Sequence, residues 1–372
     1  MSRPHVAFIV ESAYGHLVPT VGIALELMER GYRVSYAVKE IYQDSIRRCG
    51  AEAFVYTPLE NKNKVFVAGK TEAEVVALFA GSYWKNLWRE ETEDTHAQLM
   101  QIYENDRPDL IIYDCMNPAG RTLAKALDAP AAEHAPIVIY EGNPHFPYDE
   151  SLVLVAIPRF FHRKAEELDP KYKFIGFVRP GRENFFVPWN RRQESKRTIL
   201  VYATTGFLPQ VEFLKIAIAA FRDTEWRLVL SGGNEAISAL PASLPENCEI
   251  NRGSSNLEIL ETADLIIAQG GTGATLEALY SGVPQVLIPL PYEIFEDCAT
   301  RVAELGLGVR LDSSQLTAER LRDVAYSIMN DGATRLRLKK ISQDMHLEHG
   351  EVKAADLIEQ HLESSRRKTL LA

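Results

Sequence analysis

The chain opens on a strand, a helix and a second strand with very short joins between them. Val6-Ala-Phe-Ile-Val10 is a brief apolar run that reads as a buried strand, and Thr20 to Arg30 follows as a helix with Val21, Ala24, Leu25 and Met28 on one face. Gly31 is placed to stop that helix in the left-handed conformation, and Tyr32 to Val38 is the next strand. A run of this kind predicts a parallel βαβ unit, which needs helices on both faces of its sheet. The pattern recurs at Leu110-Ile-Ile-Tyr113 with the helical Arg121 to Leu127, so the first half is predicted to be α/β.

After Phe174-Ile-Gly-Phe177 the text becomes polar and turn-rich, with Arg179-Pro-Gly-Arg-Glu-Asn184 and Arg191-Arg-Gln-Glu-Ser-Lys-Arg197 reading as an exposed linker. Alternation then resumes. Strands are expected at Thr198 to Ala203, Arg227 to Leu230, Leu265 to Ala268 and Gln285 to Ile288, with helices near Val211 to Phe221 and at Ala274 to Ser281. From Thr317 the chain reads as helical up to Leu362, before a Ser-Ser-Arg-Arg-Lys stretch expected to fray. At 372 residues the chain is about twice the common size of one domain. The expectation is therefore two Rossmann-like, doubly wound α/β domains facing a cleft: residues 1–180, a linker at 181–197, and residues 198–372 with the C-terminal helices. In such sheets ligands bind outside the carboxyl ends of the strands, so chemistry is expected in the βα loops.

Apolar residues make up 46% and charged residues 25%, which fits a globular chain and not a disordered or disulfide-stapled one. A formal charge of −10 gives no general electrostatic reason to hold nucleic acid or an anionic membrane. Cys49, Cys115, Cys248 and Cys298 are far apart and form no Cys-x-x-Cys pair, so neither a zinc site nor a disulfide framework is suggested. No 18 apolar residues run together, and the N-terminal apolar run is too short for a signal-peptide core. A cytoplasmic protein with no membrane or nucleic-acid partner is expected.

Two loops stand out. In Ser12-Ala-Tyr-Gly-His16-Leu-Val-Pro19, Gly15 lets the chain turn and Pro19 suits a first helical turn, which leaves His16 at the cleft edge. A helix N-terminus disfavours a positive imidazolium, so His16 is expected to be neutral and able to act as a general base. Asp114, directly after Leu110 to Tyr113, emerges at the same end of the same sheet and can hold the other ring nitrogen. The same residues also suit a turn cap and a loop start. The second loop is Gln269-Gly-Gly-Thr-Gly273, which runs from a strand into the helix beginning at Ala274. Glycines at such a turn let backbone N–H groups approach an anion, as the helix dipole favours. They equally suit tight helix packing. Neither a P-loop nor a complete Gly-x-Gly-x-x-Gly fingerprint is present.

Over nearly its whole length the chain resembles the GT-B glycosyltransferases, in the macrolide-type branch of family 1 that glycosylates natural products and antibiotics. The resemblance is carried by Gly15-His16 with Pro19, by Pro108-Asp-Leu-Ile-Ile-Tyr-Asp114, by Ser151-Leu-Val-Leu-Val-Ala-Ile-Pro158 before Phe174-Ile-Gly, and by Gly270-Gly271-x-x-x-Thr-Leu-Glu277 followed by Gly282-Val-Pro284. It implies an inverting transfer from a UDP- or dTDP-linked sugar to an acceptor hydroxyl, with His16 as base and Asp114 orienting it. It implies a donor site at Thr205, Gly206, Gln269, Gly270, Gly271, Thr272, Gly273, Thr275 and Glu277, the last holding ribose hydroxyls. Glu293, Glu296 and Asp297 compete to read the sugar. Acceptor contacts are implied at Tyr14, Met116, Asn117, His134 and His145, with Tyr83, Trp84 and Trp88 lining the entrance or packing in the core.

This sequence departs from the family at several points. Gln269 stands where the family carries a histidine before the paired glycines, Ala274 where it carries a serine, and Gly253-Ser-Ser-Asn256 where it carries a base-stacking Trp-x-Pro-Gln. Only Ile137 to Glu150 fills the place of a longer excursion over the acceptor, which implies a large or carrier-presented acceptor, or a second subunit, as in a homodimer, completing the pocket. No two aspartates stand two apart, so metal independence is expected, with the nucleotide sugar as co-substrate and no resident cofactor. Two rival readings are a nucleotide-sugar epimerase and an auxiliary binding protein with a decayed donor site. Tyr148 falls with His145 near the shortened excursion as a further acceptor contact, His346 and His349 stand three apart on a helix at metal-ligand spacing but with no third ligand nearby and are expected to be solvated, Glu90 to Asp94 reads as an exposed helical face, and Arg301 as a surface helix residue.

Overall fold

The computed structural model describes residues 3–59, 82–140, 150–181, 186, 189, 197–204 and 210–371; for 82–88, 210, 234–235 and 368–371 it describes the backbone alone. Two parallel sheets are formed. The first contains β1 (His5–Ile9), β2 (Arg33–Val38), β3 (Glu52–Val55), β4 (Leu110–Asp114), β5 (Ala131–Ala135), β6 (Val153–Val155) and β7 (Tyr172–Phe174). Their order is β3-β2-β1-β4-β5-β6-β7. The second contains β8 (Thr198–Tyr202), β9 (Arg227–Ser231), β10 (Cys248–Ile250), β11 (Leu265–Ala268), β12 (Gln285–Leu287) and β13 (Gly308–Arg310), in the order β10-β9-β8-β11-β12-β13. The direction of winding reverses between β1 and β4 and again between β8 and β11, the places where open α/β sheets present a crevice.

The helices of the first half are α1 (Tyr14–Glu29), α2 (Glu40–Arg48), α3 (Ser82–Tyr103) and α4 (Pro118–Ala126). Those that follow are α5 (Gln210–Phe221), α6 (Asn234–Ser238), α7 (Asn256–Leu260), α8 (Thr272–Ser281), α9 (Glu293–Glu304), α10 (Ala318–Met329), α11 (Gly332–His346) and α12 (Gly350–Leu371). They cover both faces of each sheet. Along β1, Val6 and Phe8 belong to one buried cluster while Ala7 and Ile9 belong to another. That is the period of two expected of a strand with helices on either side.

The first helix starts earlier than its apolar spacing predicts. It begins at Tyr14 and not near Thr20, because Leu17 and Val18 extend its buried face upstream. Pro19 therefore lies inside the helix, where it cannot donate to the Gly15 carbonyl one turn back. His16 accordingly stands in the first helical turn and not in a loop.

The halves share packing. One buried cluster runs from Val153, Val155 and Ile157 into Ala274, Leu276, Leu279 and Val302. The last helix leaves the second sheet altogether: Ala354, Ala355, Ile358 and Leu362 of α12 pack with Val21, Ala24 and Leu27 of α1. Arg30 donates to Asp356 and Glu359 at 2.7 Å each, His361 meets the Ala131 carbonyl at 2.9 Å, and Arg366 reaches Asp109 at 3.1 Å. No helix of the described residues is long and apolar enough to cross a membrane.

Candidate active site

Ile9 and Tyr113 are register partners on β1 and β4, so the chain leaving β1 and the residue closing β4 sit side by side. Asp114 is that closing residue. His16 Nδ1 lies 2.9 Å from each of its carboxylate oxygens, and Oδ1 also accepts the Met116 N–H at 2.8 Å. The Asp114 side chain is fully buried and the His16 side chain is 14% exposed, so the pair is fixed at its base and open at the imidazole. Burial would push the Asp114 carboxyl up, but His16 and His134 overcome it and hold the group well below the usual carboxylate range. For His16 burial works downward, yet the charge and hydrogen bond of Asp114, with the charge of Glu11, raise it above its ordinary value. The expected effect of the helix N-terminus, a neutral ring, is thus opposed by the neighbouring carboxylates.

Two groups here carry no strong sequence signal. Glu11 lies two residues past the end of β1, pairs with Lys39 at 3.7 Å and adds negative charge beside His16; burial raises its own carboxyl. His134, expected to touch the acceptor, is instead completely buried on β5 behind the pair, with Nδ1 3.6 Å from Asp114 Oδ2. Asp114 and His134 are register partners, which aims both side chains to one face.

The other expected acceptor residues are scattered. Asn117 is buried and braces the loops by donating to the Val10 carbonyl and the Tyr56 hydroxyl, at 3.4 Å each. Met116 is half-buried against the cluster shared by the two halves. Tyr14 packs on Phe186 with ring centres 5.9 Å apart, and its hydroxyl is buried. Its phenol is pushed well above the usual range by burial, then by Glu277 and Tyr202, so this side chain faces the second half. The side chains of Tyr83, Trp84 and Trp88, and residues His145 and Tyr148, lie outside the described residues.

The glycine loop joins β11 to α8. Gln269 is buried and its Oε1 accepts the Thr204 N–H at 3.0 Å, tying this loop to the one after β8. Gly270 has φ +80°, and a Cβ there would come within 2.6 Å of the Phe295 carbonyl, so glycine is required. Gly271 is the N-cap of α8. The N–H groups of Thr272, Gly273 and Ala274 then have no acceptor within the helix and are available to an anion. Thr272 is buried with its hydroxyl 3.4 Å from Cys298 Sγ. Thr275 departs from expectation: it is wholly buried, and among the described residues its hydroxyl has no hydrogen-bonding partner, so it is not presented to the loop. A Cβ placed on Gly273 would lie 3.8 Å from Gly15 Cα, which brings the first turns of α1 and α8 into direct opposition.

Glu277 is buried one turn into α8 and accepts from Asn256 Nδ2 at 3.3 Å. Burial pushes its carboxyl up to about 7, against hydrogen bonding from Asn256 and Tyr14. The three acidic residues of α9 separate clearly. Glu293 is exposed in the first turn. Glu296 is held by Arg310 through two bonds of 2.8 and 3.0 Å. Asp297 accepts from the Tyr140 hydroxyl at 2.6 Å and lies 3.7 Å from Arg163, both in the first half. Thr205 and Gly206 lie outside the described residues.

Arg301 is no bare surface residue, since it donates to the Phe160 and Phe161 carbonyls across the halves. His346 stacks on Tyr280 with centres 3.8 Å apart and meets the Ser342 carbonyl at 2.7 Å. Among the described residues no group of three or more His, Cys, Asp or Glu side chains could hold a metal ion.

Residues 226–358 match the family described as the C-terminal domain of erythromycin biosynthesis protein CIII-like proteins. The demethyllactenocin mycarosyltransferase of Streptomyces fradiae is 30% identical, over 95% of this chain and 86% of that protein. The NDP-glycosyltransferase YjiC of Bacillus subtilis (strain 168) is 29% identical, over 98% of this chain and 99% of that one. Among solved structures, the calicheamicin glycosyltransferase CalG4 superposes with a TM-score of 0.77 at 26% identity, covering 98% of this chain and 99% of that one.

Proposed function

This chain belongs to the GT-B glycosyltransferases related to the macrolide and natural-product enzymes, and on that premise we propose that it transfers a sugar from a UDP- or dTDP-linked donor to an acceptor hydroxyl with inversion. The observation that carries this reading is the His16–Asp114 contact, 2.9 Å from Nδ1 to both oxygens, at the mouth of the cleft. With Nδ1 committed to Asp114, Nε2 is the nitrogen that takes the acceptor proton. The acceptor oxygen then attacks the anomeric carbon as the bond to the nucleotide diphosphate breaks. Asp114 balances the imidazolium that forms. The departing diphosphate gains stabilisation from the fixed N–H groups of Thr272, Gly273 and Ala274.

In this reading residues up to about 180 hold the acceptor and the base, and the second half holds the donor. Glu277 takes the ribose hydroxyls. Asp297, whose carboxylate meets Tyr140 of the first half, reads the sugar in preference to Glu296, which pairs with Arg310 within the second half. The relatives, a mycarosyltransferase and a calicheamicin glycosyltransferase, support a natural-product-like acceptor, and the short segment from Ile137 to Glu150 suits a large or carrier-presented one.

A thermal-shift panel of UDP-, dTDP- and GDP-sugars, followed by transfer assays with the stabilising donor, tests the proposal. A donor at 100 times its Kd stabilises the native state by about 2.7 kcal/mol. A panel without any shift would overturn the donor site and favour the auxiliary-protein reading.

A further inference from the structure

The second imidazole beside Asp114 has no place in the mechanism so far. His134 is 0% exposed, and among the described residues neither of its ring nitrogens has a hydrogen-bonding partner; the Asp114 carboxylate faces Nδ1 at 3.6 Å, just beyond hydrogen-bond distance. A buried imidazole without partners is costly, and a single nearby carboxylate is the one group that offsets the cost. The oxygens of Asp114 are also unequal. Oδ1 accepts from the Met116 N–H as well as from His16, whereas Oδ2 has only the two imidazoles. The register of β4 with β5 fixes this pairing, since Asp114 and His134 are direct partners.

We propose that His134 is a positioning residue of the dyad, turning its Nδ1–H toward Asp114 Oδ2 at 3.6 Å, so that it helps to fix the carboxylate and takes up part of the charge that otherwise acts on His16. The inference rests on the base role given to His16. Asp114 selects the neutral tautomer with hydrogen on Nδ1, because the opposite tautomer would turn a lone pair toward the carboxylate. A carboxylate shared between two donors draws a proton onto His16 less strongly than one that serves His16 alone. The other charges near His16 do not change when His134 is altered. They are Glu11 after β1, with Lys39 paired to it; the facing loop Gly271 to Gly273 carries no titratable side chain.

The test combines nitrogen-15 NMR of the imidazoles with pH profiles of kcat/KM for the native chain, His134→Leu and His134→Asn. Asparagine keeps an N–H near the position of Nδ1, and leucine removes it. In the native chain His134 is expected as the Nδ1-protonated neutral tautomer. In His134→Leu the His16 titration and the acid limb of kcat/KM move up together by about half a pH unit, which is about a threefold loss of kcat/KM at a pH below the limb. His134→Asn restores both toward native values, and donor KM is unchanged in each. Identical titration of His16 in all three proteins, or an Nε2-protonated His134 in the native chain, would overturn the proposal. The native tautomer decides the matter even where His134→Leu fails to fold. Absence of sugar transfer by the native chain would sink the functional reading, while the NMR titrations still decide the place of His134.

Discussion

His16 and Asp114, 98 positions apart in sequence, meet through one nitrogen lying 2.9 Å from two oxygens. A two-pronged contact of this kind fixes the plane of the imidazole as well as its distance. On the proposed mechanism the raised His16 value should place the acid limb of kcat/KM above pH 6.5, with activity rising with pH because the deprotonated ring would act as base. Asp114→Asn removes the charge that raises it, so the limb moves down while turnover falls. His16→Ala is expected to lose ~10²–10⁴-fold in kcat with nucleotide-sugar affinity nearly intact. Equal losses in kcat and affinity would make His16 a structural residue.

On the proposed donor role, Glu277 should link donor binding to pH. Its carboxyl in the folded chain is pushed up to about 7 from an ordinary 4.5, so its contribution favours folding below pH 4.5 and is lost as pH rises through about 7. Glu277→Gln should therefore gain on the unliganded native protein across that window, by on the order of 1–3 kcal/mol. Its affinity for a nucleotide sugar should fall by about tenfold or more, since a charge-assisted hydrogen bond to the ribose is lost. Denaturation curves at pH 5 and pH 8, with calorimetric titration of donor, measure both.

Glu296 and Asp297 are sequence neighbours with opposite expected phenotypes. Glu296→Gln breaks a partly exposed pair with Arg310, worth at most about 1 kcal/mol, and should leave donor KM unchanged. Asp297→Asn should raise donor KM. Steady-state kinetics with the sugar donor varied distinguishes the two, and a reversed pattern would reassign the sugar-reading group to Glu296.

Gly270 and Gly273 should also differ. Gly270→Ala places a side chain at φ +80° and 2.6 Å from the Phe295 carbonyl, with a cost of at least about 1–2 kcal/mol from the left-handed backbone alone and a lower melting temperature. Gly273→Ala meets Gly15 at an ordinary 3.8 Å, so it should melt like the native chain but bind donor less well. Melting curves with and without donor provide the readout.

Turnover should survive dialysis against EDTA without loss. A requirement for restored divalent cation would replace the proposed use of helix N–H groups with metal-assisted departure of the diphosphate.

Much of the frame was legible because apolar strands end abruptly in glycine or polar residues. β1, β4 and β11 each run directly into the loop that carries the proposed chemistry. β5 was not legible, because Ala131-Ala-Glu-His-Ala135 buries two polar side chains and so lacks an apolar signature. That is why His134 reads from sequence as an acceptor contact and not as the partner of Asp114. β3, β10 and β13 are three or four residues long with partly exposed side chains, too short for period or composition to reveal. The choice among Glu293, Glu296 and Asp297 was closed to sequence for another reason: neighbours on a helix point in different directions, and the arginine that claims Glu296 comes from β13.

The seating of α12 against α1 has a mechanical consequence. The chain crosses from the first sheet to the second between Phe174 and Thr198, and it returns between His346 and Gly350. Two bodies joined by one strand of chain are tethered; joined by two, and by a shared buried cluster, they have fewer ways to separate. Cutting the chain after His346 would leave the halves with a single covalent crossing.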